Sequence, residues 1–126
     1  MADLKDVIAC IYNNYPEKHK LSNDRLEKML YLADWRSAIT NKRQITNIVW
    51  RFGKNGPEFE EDKEQVRVPN EGKPYSLEDL TYFSVTSEDK AVIEHVIKIT
   101  YQKGWDELTS LVYSTFPILN QPRFLK

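Results

Sequence analysis

The sequence predicts a mainly α-helical fold: a compact helical domain with a small two- or three-stranded antiparallel β element and a C-terminal αα-hairpin. Two observations predict this class. Apolar residues recur at helical spacing over most of the chain, and they alternate as in a strand only in short segments between about residues 44 and 85. The 126 residues, 40% of them hydrophobic, suit one core, so residues 1–126 are assigned to a single domain.

The first helix is expected to run from Leu4 to the residue before Pro16. Pro16 disfavours helical geometry at Tyr15, so the helix should stop there. The apolar residues of this segment share one helical face; they are Leu4, Val7, Ile8, Ile11, Tyr12 and Tyr15.

The second helix has the clearest start signal. Ser22 is expected to cap its N-terminus, with Leu21 packing on Leu26 as a hydrophobic staple. Apolar residues lie on more than one side of this helix, which predicts a central position in the fold. They are Leu26, Met29, Leu30, Tyr31, Leu32, Ala33, Trp35 and Ile39.

The period changes from helix to strand after Gln44. Ile48, Trp50 and Phe52 alternate with their neighbours in a strand pattern that ends at Gly53. The next four residues, Lys54-Asn55-Gly56-Pro57, are typical of a turn. Residues 66–68 and 82–85 are two further short β candidates.

Two helices are predicted in the last third. Thr86 or Ser87 should cap the first, and Gly104 should separate it from a second helix that begins at Trp105 and ends at Pro117. Residues 87–116 are therefore expected to form the αα-hairpin.

Composition argues against several classes of protein. Lys plus Arg number 18 against 19 Asp plus Glu, a net charge of −1, so the broad positive field of a nucleic-acid binder is lacking. A single cysteine, Cys10, excludes a disulfide framework within the chain and fits a reducing cytoplasm. No apolar run approaches the roughly 18 residues of a membrane span. We expect a cytoplasmic protein without membrane contact.

Chemistry-bearing residues are few. His19 lies in a Lys-His-Lys loop and His95 within a helix, and neither stands beside a recognisable nucleophile motif. Cys10 falls on an apolar helix and is expected to be a small buried hydrophobe. Metal-ligand spacings and phosphate-binding glycine loops are absent from the sequence. We predict that the protein is not an enzyme and has no catalytic residues, metal site or cofactor.

Charge is unevenly distributed along the chain. The charged residues between positions 36 and 54 are all cationic; they are Arg36, Lys42, Arg43, Arg51 and Lys54. Those between positions 58 and 64 are acidic except for Lys63; they are Glu58, Glu60, Glu61, Asp62 and Glu64. Two solvated surfaces would explain this pattern, and so would an electrostatically steered contact with a partner. Trp50, Arg51 and Phe52 are types enriched at interfaces, although core packing competes for Trp50 or Phe52.

Several motifs resemble the Panacea domain, the SocA-like antitoxin-associated domain known also from phage-associated proteins. The segment Leu26 to Trp35 resembles the K-L-x-K-L-L-Y-L-A helix of that family, and Trp50 to Pro57 resembles its strand and Gly-Pro turn. The family is also similar to this chain at the beginnings of its two late helices, residues 87–93 and 105–108, and at its terminal segment, residues 111–117. The resemblance covers about residues 5–117. It departs after Gly56-Pro57, where this chain is strongly acidic.

The resemblance implies a mainly helical domain without known catalytic residues that acts in a bacterial or phage toxin–antitoxin pair. Such a protein would bind a toxin encoded next door and neutralise it, or hand it to a protease. Combined with the charge pattern, this predicts a binding surface for a protein partner. Its residues are Trp50, Arg51, Phe52, Lys54, Gly56, Pro57, Glu58, Glu60 and Glu61.

Two other functions stay open from the sequence. A phage or prophage regulator would bind DNA through the basic stretch 36–54, with an affinity that falls steeply as salt rises. A small hydrolase or nuclease is supported only by the number of unassigned carboxylates.

Overall fold

A computed structural model of the chain describes residues 2–53, 56–59 and 83–115. Its elements in chain order are α1 (Leu4–Asn14), a short 3-10 helix (Lys18–Lys20), α2 (Asn23–Thr40), β1 (Trp50–Gly53), β2 (Gly56–Phe59), α3 (Ser87–Thr100) and α4 (Trp105–Tyr113). The predicted mainly helical class is confirmed, with four α-helices in the described ranges. The β structure described there is a single antiparallel pair of strands, β1 with β2.

The local signals at the ends of α1 and α2 act as predicted. Tyr15, just before Pro16, adopts extended geometry with ψ 124° and ends α1. The Ser22 side chain accepts a hydrogen bond of 3.1 Å from the backbone N–H of Arg25 at the start of α2. Leu21 and Leu26, the two residues of the predicted staple, are both buried.

The core is built around α2, which packs against α1, α3 and α4. Its apolar residues from Leu26 to Ala33 are buried, and so are four of its polar residues. These four are Arg25, Lys28, Asp34 and Ser37. The central position predicted for α2 is confirmed.

The two late helices are present, and the N-terminus of α3 has a capping box. The Thr86 side chain accepts a hydrogen bond from the backbone N–H of Asp89, and the Asp89 side chain accepts one from the backbone N–H of Thr86. These bonds satisfy two backbone donors that have no acceptor within the helix. α3 packs on α1 and α2, whereas α4 packs mainly on α2 and β2. The αα-hairpin therefore stays a prediction.

The β element differs from the prediction in its bounds. β1 begins at Trp50, because the backbone N–H of Ile48 donates to the Thr46 hydroxyl and those of residues 45 and 46 donate to a side chain of α2. Gly56 and Pro57, predicted in a turn, belong to β2, where their Cα partners are Gly53 and Phe52. Pro57 has no N–H to donate, and a strand at the edge of a sheet tolerates it because one of its sides needs no donor.

The remaining β candidates are not confirmed. Residues 66–68 and Tyr82 lie outside the described residues. Phe83 to Val85 form a turn and an irregular segment, not a strand. Ser84 donates from its backbone N–H and its hydroxyl to Asp6 Oδ2, at 3.0 and 2.6 Å, so a side chain of α1 takes the donor that a strand would use.

Candidate partner-binding surface

Trp50, predicted as a partner contact, is a core residue. Its side chain is 1% exposed, and its indole Nε1–H donates a hydrogen bond of 2.9 Å to Asp34 Oδ2. The ring packs edge-on against Tyr31, with centroids 5.4 Å apart and an interplanar angle of 82°. This corrects its assignment, since a tryptophan that buries its ring and satisfies its N–H in the core offers no area to a partner.

The Trp50 bond is part of a network around the carboxylate of Asp34, which is fully buried on α2. Oδ1 accepts from the backbone N–H groups of Ile45 and Thr46 at 3.0 and 2.9 Å. Oδ2 accepts from the Thr46 hydroxyl at 2.5 Å, from Trp50 at 2.9 Å and from Gln44 Nε2 at 3.3 Å. The chain that leads into β1 is thereby fastened to α2.

Burial raises the pKa of the Asp34 carboxyl to about 6, while the hydrogen bonds from Thr46, Trp50 and Ile45 favour the ionised form and oppose that rise. An ionised carboxylate accepts hydrogen bonds on both oxygens and donates none, which matches five converging donors. Asp34 is therefore ionised at neutral pH and acts as an acceptor for this segment.

Arg51, next to Trp50 on β1, is exposed. Successive residues of a strand point to opposite faces, so the burial of Trp50 directs Arg51 to the solvent side. The Cα partner of Arg51 across the β hairpin (β1 and β2) is Glu58, and that of Phe52 is Pro57.

Besides Trp50, the β hairpin thus brings together five of the predicted contact residues along its two strands: Arg51, Phe52, Gly56, Pro57 and Glu58. The predicted contacts Lys54, Glu60 and Glu61 lie outside the described residues.

The basic stretch 36–54 is not uniformly available to a partner. Arg43 Nη1 lies 3.3 Å from Asp89 Oδ1, and the Asp89 side chain is only 1% exposed. Arg43 therefore links the segment after α2 to the first turn of α3. Its neighbour Lys42 is exposed and has a positive φ of 64°, which non-glycine residues adopt uncommonly.

A second buried polar residue, Arg25, ties three helical segments together. Its side chain donates to the Tyr15 hydroxyl at 2.7 Å and to the backbone carbonyls of Thr100 and Lys103 at 2.6 and 2.8 Å. A cation is favourable at the C-terminal end of a helix because unpaired carbonyls and the helix dipole give that end negative charge.

Sequence reasoning singled out neither Asp34 nor Arg25, although both lie on the helix that it called central. Asp34 is the one charged residue between Met29 and Trp35, and a lone charge in such an apolar run is the signal that could have marked it. The donors that meet it come from residues 44–50, and no local pattern shows that convergence.

Other titratable groups are dispersed. Cys10 is fully buried, and burial raises its pKa to about 11. His19 is exposed and His95 is half-buried. Among the residues that the structure covers, no group of three or more His, Cys, Asp or Glu side chains could hold a metal ion. None of the helices in those same ranges combines the length and apolar character of a membrane span.

Comparison with protein families gives a match over most of the chain. A family model described as antitoxin SocA-like, Panacea domain, matches residues 26–116, a range that contains α2, the β hairpin, α3 and α4. No curated protein and no solved structure matched the chain.

Proposed function

The chain belongs to the SocA-like antitoxin family with the Panacea domain, and on this basis we propose that it is a non-enzymatic antitoxin. It binds a toxin encoded by the neighbouring gene and neutralises it by direct protein contact. The contact surface is the β hairpin, with the acidic segment 58–64 as its extension. Presentation of the bound toxin to a protease is a further part of this proposal.

One observation supports the β hairpin above all: its first strand is fastened from within and exposed on its other side. Trp50 is 1% exposed and bonded to Asp34, while Arg51 beside it is exposed. A surface whose backbone is already ordered loses less conformational entropy on binding. Arginine is also among the residue types that contribute most to interface energies.

The distribution of charge favours a protein partner over DNA. The Cα partner of Arg51 in the β hairpin is the acidic residue Glu58, so the paired strands contain residues of both signs, whereas DNA binding depends on cations that displace counterions from phosphates. Arg43, a member of the basic stretch, is already paired with Asp89.

Co-expression with the neighbouring gene tests the proposal. The polypeptide from that gene should arrest growth when expressed alone, and this protein should restore growth. Arg51→Glu should weaken the rescue, because it reverses an exposed charge without touching the Trp50 contacts. Lys98→Glu on α3, an equally drastic change at another exposed position, should leave the rescue intact. A neighbour that is harmless alone, or one whose toxicity persists beside the wild-type protein, would contradict the proposal.

DNA binding through residues 36–54 is the alternative. It requires an affinity for duplex DNA that falls steeply between about 50 and 200 mM salt. A gel-shift titration at low salt measures it directly, and absence of a shift would eliminate this function.

A further inference from the structure

Asp34 connects the helical core to the β hairpin through five hydrogen bonds from four residues that lie between positions 44 and 50. Two of these donors are backbone N–H groups, so the carboxylate fixes main-chain atoms as well as side chains. β1 begins at Trp50, the last of the four donor residues. The point at which the β hairpin leaves the core is therefore set by one side chain of α2.

The chemistry of this site requires a carboxylate. Oδ1 faces two backbone N–H groups, and Oδ2 faces the Trp50 indole N–H, which can only donate. An asparagine in this position would direct its NH2 group at the two backbone donors or at the indole, and either orientation leaves buried donors without acceptors. Such orphaned groups carry a full desolvation penalty.

Arg25, another buried polar residue of α2, has a different set of partners. Arg25 bonds to Tyr15, Thr100 and Lys103, which belong to the helices and their ends. The five bonds of Asp34 go to the segment that carries the β hairpin. Loss of the Asp34 carboxylate should consequently release that segment while α1 and α3 remain packed on α2.

We infer that Asp34 is a positioning residue for partner binding: by holding residues 44–50 against α2, it fixes the orientation in which the β hairpin meets the partner. This inference rests on the proposed function, because it assigns to Asp34 a role in the same surface. Asp34 itself is fully buried and makes no contact with the partner, so its effect on affinity passes through Trp50 and the backbone of β1.

The test compares Asp34→Asn with a control variant that is equally destabilised elsewhere. Ile11 is 1% exposed on α1, which packs on α2 and α3. Either Ile11→Val or Ile11→Ala is chosen, whichever matches the loss of Tm in Asp34→Asn. Two quantities are measured well below Tm: amide hydrogen exchange of the isolated protein, and affinity for the polypeptide encoded by the neighbouring gene.

Asp34→Asn should speed exchange in residues 45–53 and leave the middle of α3 as protected as in the Ile11 control. Its affinity should fall about tenfold relative to that control, because the partner must then order the β hairpin on binding. Trp50→Phe, which removes one donor and keeps an aromatic ring, should show the same pattern at smaller amplitude. This milder variant serves if Asp34→Asn fails to fold.

Equal exchange and equal affinity in Asp34→Asn and the Ile11 control would overturn the positioning role. Failure of the proposed function gives a different result, in which the wild-type protein does not bind the polypeptide at all while exchange still reports how Asp34 holds the β hairpin.

Discussion

Replacement of Trp50 by alanine should destabilise the fold strongly, because the side chain is 1% exposed. A buried tryptophan removes about 150–250 Å² from water, which corresponds to roughly 4–6 kcal/mol at about 25 cal/mol per Å². Measured Trp→Ala losses in protein cores are about 3–5 kcal/mol, and we expect a value in that range. Trp50→Phe keeps most of the apolar contact and loses the bond to Asp34, so it should cost about 1–2 kcal/mol.

Urea unfolding followed by far-UV circular dichroism measures these losses of unfolding free energy, provided that the slope of that free energy against urea concentration is the same in variant and wild type. Trp105 supplies a matched control. It is 48% exposed at the start of α4, and Lys28 Nζ lies 4.9 Å from its ring centroid. Because an exposed cation–π contact contributes only about 0.5–1 kcal/mol, Trp105→Ala should cost far less than Trp50→Ala.

Two results would refute this reasoning. A Trp50→Ala variant within about 0.5 kcal/mol of wild type would show surface behaviour, and the core placement of the ring would be wrong. Equal losses at Trp50 and Trp105 would show that burial does not determine the cost. The same experiment decides how binding data are interpreted, because a Trp50→Ala variant that fails to neutralise a toxin reports on folding before it reports on contact.

Three further predictions concern buried charged or titratable groups. Burial raises the pKa of Asp34 to about 6, above the roughly 3.9 of an unfolded aspartate. Because the native state therefore binds this proton more tightly than the unfolded state, raising the pH removes stability. The free energy of unfolding should fall by up to about 3 kcal/mol as pH rises from about 4 to 7. Urea titrations across that pH range should show this fall in unfolding free energy for the wild-type protein and not for Asp34→Asn. The same pH dependence in both proteins would contradict the prediction. Burial also raises the pKa of Cys10 to about 11, so a thiol reagent at neutral pH should label the native protein at least about 100-fold more slowly than the urea-unfolded chain; equal rates would place the thiol at the surface. Arg43→Ala removes the guanidinium beside the buried Asp89 carboxylate and should lower the free energy of unfolding by about 1–3 kcal/mol. Thermal or urea unfolding measures this loss. Lys42→Ala, at the exposed neighbouring position, should lower it by less than about 0.5 kcal/mol.

The helix ends could be predicted because their determinants are local. Pro16 stops α1 through its effect on Tyr15, and Ser22 and Thr86 accept backbone N–H groups three residues ahead of them. Each of these effects acts within four residues, so a single sequence contains all the information that they need.

The interior of the candidate site could not be predicted in the same way. Alternation along β1 shows that Trp50 and Arg51 lie on opposite faces, but it does not show which of the two faces is buried. The choice is made by Asp34, sixteen positions before Trp50 in the chain, whose carboxylate accepts the indole N–H. Likewise, Gly56 and Pro57 have the local chemistry of a turn, and only the pairing register with Gly53 and Phe52 identifies them as strand residues.

Direct binding of the purified partner is the measurement that tests the antitoxin function most closely. Isothermal titration calorimetry with the polypeptide encoded by the neighbouring gene should show a saturable complex for the wild-type protein. Arg51→Glu should weaken that complex while its far-UV spectrum and cooperative unfolding show that the variant is folded, because the changed side chain lies on the exposed face of β1. Absence of binding by the wild-type protein, or equal affinity of Arg51→Glu and wild type, would contradict neutralisation through the β hairpin.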